Sequence, residues 1–316
     1  MSVEFIDPLS GQPLVEEGGS LRCGDRVVAA IVASIPRFVG SEDDYATSFG
    51  WQWNYWTDIM SDARTTGTFK RDLLLERTHF AEYGMEGKTI LECGMGGGDD
   101  TEVLLDFPFA EVHSFDLSNS VDRARRYLDD PRLTLSQASI FEIPYPDRSF
   151  DFVFCHRVLQ HTPDPARALR CICKKVRPGG VLFAHSYKLS WIHAMHYKYK
   201  YRWLTRRLRL ETVHGLLERF GPRLSRVNHW MSDRGRLLQA LAYGFVPFTG
   251  IREYGELDER RLLELEKLVT FDALTPRYDR PMTSRAFRGV IESEGFRIEH
   301  IHDPRSSPLY CTALKR

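Results

Sequence analysis

From residue 88 to residue 187, short apolar runs alternate with segments whose apolar positions recur every three or four residues. KTILECG, EVHSFDLS, LTLSQAS, FDFVFCH and VLFAHSY read as strands, and DDTEVLLDF, SVDRARRYLDD and DPARALRCICKKVRPGG as helices among them. Strands joined through helices pair in parallel, because each helix carries the chain back to the end of the sheet where it started. The expected fold is therefore α/β with a doubly wound, mostly parallel sheet. FRIEHIHD and PLYCTALKR follow near the C-terminus, close enough for a hairpin, which raises the count to seven strands and makes the last one antiparallel.

The remaining segments divide the chain into five parts. Residues 1–40 are a small module of short apolar runs broken by Gly and Pro, and 41–86 a helical and aromatic cover containing SFGWQWNYW. Residues 87–187 are the ligand-binding core, 188–280 a helical insertion or substrate lid, and 281–316 the C-terminal part of the sheet. From Lys188 to Arg236, twelve Lys and Arg stand against three Asp and Glu, with Tyr and Trp between them. Such a segment is read either as a solvated helical face or as a site for RNA or a phosphorylated substrate.

The first strand ends in ILECGMGGGDD, residues 90–100. Glycine loses the most backbone freedom on folding, so four within five residues mark a place where something approaches the main chain. A dinucleotide site wants G-x-G-x-x-G, and the third position here is Asp99 or Thr101, depending on where counting starts. Asp99 and Asp100 would also put negative charge where a pyrophosphate sits, so the ligand is expected to be non-anionic. This disfavours a nicotinamide-linked oxidoreductase.

The pattern that does fit is E-x-G-x-G-x-G, formed by Glu92, Gly94, Gly96 and Gly98. It resembles the nucleotide-binding motif of class I S-adenosylmethionine (AdoMet) dependent methyltransferases. The run from QASIFEIPYPDRSFDFVFCH to PGGVLFAHS resembles the later half of the same family. The resemblance implies AdoMet as cofactor and S-adenosylhomocysteine as product. It also implies a cofactor site of Glu92, Gly94, Gly96, Gly98, Asp116, Leu117, Ser139, Ile140 and His156; nothing in the sequence resembles a metal triad, so no metal is expected. Asp116 would accept from ribose hydroxyls, or cap the next helix. Ser139 stands where the family has an Asp for the adenine amino group, leaving Ile140 to offer its backbone and an apolar wall. The N-terminal DPLSGQPL and LRCG resemble a small zinc ribbon in which Asp7 and Ser10 replace cysteines. Cys23 alone cannot complete a four-ligand zinc site.

Methyl transfer to an oxygen or nitrogen is an in-line displacement, and a weakly acidic nucleophile needs a base. His156 and His185 end the fourth and fifth strands, at the edge where open α/β sheets bind ligands, and are the catalytic candidates. His161 reads at least as well as a packing or capping residue. SFGWQWNYW is either a lid over the sulfonium or core packing. The acceptor implied by the resemblance is a small or medium metabolite of a bacterial biosynthetic pathway. An RNA or nucleotide methyltransferase using residues 188–236 and a non-catalytic AdoMet-binding scaffold stand as alternatives.

Charges balance at 43 against 43, so the molecule has no long-range field for nucleic acid or membrane. No apolar run approaches the roughly 18 residues that span a bilayer, and no charged start precedes an apolar stretch. A cytoplasmic protein without a membrane partner is expected. The six cysteines lack disulfide spacing and fit reduced thiols.

Overall fold

A computed structural model describes residues 3–40, 44–57, 69–251 and 258–316. Among them the strands are β1 Val15–Glu17, β2 Ser20–Cys23, β3 Arg26–Val32, β4 Ile35–Arg37, β5 Thr89–Cys93, β6 Glu111–Asp116, β7 Leu133–Gln137, β8 Phe150–Cys155, β9 Val176–Ser186, β10 Phe296–His302 and β11 Leu309–Lys315. The helices are α1 Thr47–Tyr55, α2 Phe69–Thr78, α3 Asp99–Leu105, α4 Val121–Tyr127, α5 Pro165–Lys175, α6 Trp191–Ala194, α7 Lys198–Thr205, α8 Leu210–Asp233, α9 Arg236–Phe245, α10 Glu259–Leu274 and α11 Ser284–Ser293. The predicted cover over 41–86 includes 41–43 and 58–68, which lie outside the described residues.

The strands form one sheet in the order β1-β2-β3-β4-β7-β6-β5-β8-β9-β11-β10. β5 pairs in parallel with β6 on one side and β8 on the other, so the order of travel reverses beside β5. Connections there leave the sheet on opposite faces, which opens a crevice at the carboxyl ends of the strands. β11 runs antiparallel to both β9 and β10, as the C-terminal hairpin requires. Nearly every residue of β5, β6 and β8 is buried, as expected of parallel strands covered on both faces.

Two expectations are corrected. The sheet holds eleven described strands, because β4 of the N-terminal meander pairs in parallel with β7 through Arg37 and Gln137. Phe38 N donates to Gln137 O at 2.7 Å and Ile6 N to Pro144 O at 3.0 Å, while the Phe5 ring stacks on Tyr145 with centroids 4.9 Å apart. In addition, VRPGG belongs to β9 and does not end the helix before it. Gly180 lies so close to β8 that an added Cβ would be 2.7 Å from Asp151 O, which lets the strand begin early.

Inside the meander, buried Asp7 accepts from the amides of Leu9 and Ser10 and from Ser10 Oγ, and it pairs with Arg26. Cys23 Sγ lies 3.9 Å from Ser10 Oγ. A guanidinium thus supplies the counter-charge to the Asp7 carboxylate. Arg26→Ala is expected to destabilise the protein by about 1–2 kcal/mol, since the buried carboxylate keeps its amide donors but loses its counter-charge; Arg26 is half exposed, which holds the figure below that of a fully buried pair. Thermal unfolding checks this.

Candidate active site

A cavity of about 170 Å³ opens at the carboxyl edge of β5, β6 and β8. Gly94, Asp116 and Ile140 line it on the sheet side. Phe49 and Trp53 of α1, Lys70 of α2, and Leu268 and Asp272 of α10 line it from segments outside the alternating core.

The glycine turn is held by main-chain bonds: Gly94 N and Met95 N both donate to Phe115 O, at 2.8 and 3.0 Å. Gly94, Gly96 and Gly98 have φ of +82°, +54° and +90°, a region that side-chain-bearing residues avoid. What approaches them is the protein itself. A Cβ on Gly94 would collide with Val158, and one on Gly96 would lie 2.8 Å from the Trp53 indole nitrogen. Gly97 O accepts from Arg123 Nη1 at 2.6 Å and from Tyr127 Oη at 2.8 Å. Of these neighbours Trp53 and Val158 line the cavity, so both cover the turn from the ligand side.

Asp116 ties β6 to the turn. Its Oδ2 accepts from Gly96 N at 2.9 Å, and its Oδ1 accepts from Ser118 N at 2.8 Å and Ser118 Oγ at 2.7 Å. Burial nevertheless pushes the carboxyl above its usual range, against these bonds. A carboxylate offers about four acceptor sites, and three are taken. Ser118 Oγ also lies 2.7 Å from Ser120 Oγ, an alternative partner that can free a second site. Leu117 and Ile140 line the cavity beside Asp116. Ser139 does not; its Oγ accepts from Phe141 N at 3.3 Å.

The two predicted catalytic histidines occupy different environments. His156 lines the cavity, and its Nδ1 lies 2.9 Å from Asp100 Oδ2, so Nδ1 carries the proton. Asp100 is also 3.0 Å from Lys70 Nζ; although burial raises its pKa, Lys70 and then His156 hold it well below the carboxylate range. Burial lowers His156 to about 4 despite that partner, and its Nε2 is sealed from solvent without a hydrogen bond. His185 does not line the cavity. It packs behind His156 with ring centroids 5.1 Å apart, pairs across the ladder with Tyr310, and is pushed far below its ordinary pKa by burial. Its predicted place as a base in the cavity is thereby corrected. His161 does line the cavity, in a 3-10 turn over Leu159–His161 that the sequence left as packing or capping. Its Nδ1 donates to Tyr278 O at 3.2 Å, a bond that leaves Nε2 as the acceptor nitrogen.

Residues 91–184 match the family described as "Methyltransferase domain". This stretch is a methyltransferase domain. Over 102 residues the chain is 34% identical to a ubiquinone biosynthesis O-methyltransferase of Coxiella burnetii, covering 31% of this chain and 43% of that protein. It is 35% identical over 106 residues to the protein of the same description from Alkalilimnicola ehrlichii, covering 32% and 42%. The chain thus spans less than half the length of these curated relatives. An S-adenosylmethionine dependent methyltransferase from Mesorhizobium loti superposes with a TM-score of 0.44 at 17% identity, covering 73% of this chain and 92% of that one. The methyltransferase domain supplies the floor of the cavity, whereas Phe49, Trp53, Lys70, Leu268 and Asp272 lie outside it.

Glu92 belongs to this domain but is not on the cavity wall. Its Oε2 accepts from Thr101 Oγ1 at 2.6 Å and Ser114 Oγ at 2.8 Å, which fastens α3 and β6 to β5 behind the turn. Burial, then the Asp100 charge, pushes its pKa up to about 8. The folded chain therefore keeps a proton at pH 7 that the unfolded chain releases near 4.5. Its contribution to stability is complete below that pH and is lost as pH rises through about 8. Glu92→Gln, which keeps the accepting oxygen, is expected to gain roughly 4 kcal/mol on the parent between pH 5 and pH 8.5. Denaturant unfolding at the two pH values checks it.

Proposed function

We propose that the chain transfers a methyl group from AdoMet to an oxygen or nitrogen of a small or medium acceptor. The observation that carries this reading is one cavity at the switch point lined together by Gly94, Asp116, Ile140, His156, Arg157 and His161. Asp116 would accept from the ribose of AdoMet, and Leu117 and Ile140 would flank the adenine. The Trp53 face would lie against the donor over Gly96. In this reading the cover within 41–86 and the helices of 188–280 close the site over the core of 87–187. Glu92, Gly96, Gly98 and Ser139 would act behind the wall, by shaping the turn and the loop after β7.

The reaction needs alignment and one proton acceptor. The acceptor's lone pair forms the new bond to the methyl carbon while the carbon–sulfur bond breaks, its electron pair neutralising the sulfonium as thioether. The proton leaving the acceptor goes to His161 Nε2 in this scheme. Burial lowers the His161 pKa, so the ring is neutral at pH 7, and the Asp272 and Asp279 charges favour the imidazolium once it forms. Asp100, held by His156 Nδ1, would orient the acceptor beside it. The ubiquinone biosynthesis relatives support an O-methyl acceptor from a biosynthetic pathway as the substrate class.

Isothermal calorimetry with AdoMet and S-adenosylhomocysteine tests the donor, and incubation of methyl-labelled AdoMet with a small-molecule extract tests the transfer. Absence of binding of either nucleoside at millimolar concentration to folded protein would refute the reading. Donor binding without label transfer would leave a binding scaffold in its place.

A further inference from the structure

The helices of the insertion carry a second feature that methyl transfer does not use. On α8, Val213, Leu217, Gly221 and Asn228 are buried, whereas Leu216, Phe220, Val227 and Trp230 are exposed. At 100° per residue these four fall within one stripe about 80° wide, running along most of a helix about 35 Å long. Arg223 and Arg234 fall within that stripe and Arg219 and Arg226 flank one side of it, with Asp233 beyond them; no Asp or Glu falls in the stripe itself. The chain then turns at Gly235 into α9, whose Leu237, Leu241 and Phe245 are exposed at successive fourth positions, Leu237 to 75%. Lys200 of α7 closes the band: its Nζ donates to Met195 O and Gly244 O at 2.8 Å and lies 4.7 Å from the centre of the Phe245 ring. Arg234 likewise sits 4.3 Å over Trp230.

We propose that this face binds the surface of an anionic lipid bilayer, with α8 and α9 lying in the headgroup plane. An amphipathic helix that binds there puts its apolar side chains at the acyl boundary and its Lys and Arg among the headgroups, with Trp at the level between. The band has that composition. Each basic side chain near an anionic surface adds about 1 kcal/mol, so a stripe that carries arginines and no carboxylate of its own is complementary in charge. A nucleic acid fits less well, because Leu216, Val227, Leu237 and Leu241 present no flat ring for a base to stack on. A second copy would bring two faces of the same sign together. The zero net charge and the lack of a spanning apolar run argue against a membrane partner, but a local band of one sign escapes that average. No helix among the described residues is long and apolar enough to cross a bilayer, so the contact is with the surface.

Co-sedimentation of the full chain with phosphatidylcholine vesicles, with and without phosphatidylglycerol, tests the proposal. Binding is expected with the anionic vesicles alone, weakening as salt rises, with a blue shift of tryptophan emission as indoles leave water. Leu237→Ser combined with Leu241→Ser is expected to weaken partition about tenfold or more; Leu237 is 75% exposed and Leu241 40%, so the variant is expected to stay folded with a somewhat lower melting temperature, which circular dichroism at the assay temperature checks. No binding to anionic vesicles, or equal binding by parent and variant, would overturn the proposal. So would polyuridylate retention without vesicle binding, or a solution dimer that the same two substitutions dissolve.

Discussion

Asp116→Ala is expected to weaken AdoMet binding roughly 30- to 1,000-fold, about 2–4 kcal/mol, as measured by calorimetry. Two losses combine. The first is the acceptor for the donor's ribose in the proposed site. The second is structural: Gly96 N, Ser118 N and Ser118 Oγ all give their hydrogens to this carboxylate, and none can reach a methyl group. The Gly96 amide would then be left facing an apolar neighbour beneath Trp53, and the turn would relax from the shape that forms the cavity floor. Asp116→Asn separates the two effects. Its single amide oxygen can serve Gly96 or Ser118, but the amide nitrogen must then face the other donor. An Asn variant is therefore expected to lose most of the binding although it is nearly the same size. If both variants bind AdoMet as the parent does, the donor does not rest on this turn, and the proposed cofactor site is wrong.

The residues that proved legible in the sequence are those whose placement depends on local pattern. The period of each strand, the glycines that end β5 and the acid that ends β6 all report on backbone shape within a few residues, and Gly94, Asp116 and His156 do meet at one cavity. What was not legible depends on segments far apart in the chain. The glycines signalled a close approach to the main chain, yet the approaching groups are Val158, Trp53 and Arg123. Only tertiary structure can say that the chain itself fills the space. His185 illustrates the same limit. Its position near the end of a strand suggested an open edge, but β11, more than 120 residues later, runs alongside β9 and sets Tyr310 opposite it, which places the ring inside the sheet. The edge that lines the cavity lies at β5, β6 and β8, whose pairings among the described residues are all parallel. Asp272 could not be assigned either, since α10 reads as an ordinary surface helix until its packing over the core is seen.

His161→Ala is expected to lower kcat roughly a hundred- to ten-thousand-fold while leaving the AdoMet dissociation constant nearly unchanged, measured with an acceptor identified by label transfer. The separation of the two constants matters, because a residue that merely packed against Phe49, with ring centroids 4.8 Å apart, would disturb binding and stability as much as turnover. The sign of the pH dependence is also set. The base works unprotonated and burial keeps its pKa below the ordinary 6.5, so kcat is expected to rise with pH through a value under 6.5 and then level off. That limb should vanish in the variant. His156→Asn provides the contrast. The His156 Nε2 is sealed within the protein and the ring is held near pKa 4, so it is poorly placed to take a proton from an acceptor, and its loss is expected to cost less than about tenfold in kcat. The reverse ranking, with His156 the more damaging change and the acidic limb intact in the His161 variant, would move the proton to the Asp100–His156 pair. It would also mean that the acceptor must open that pocket before it can react.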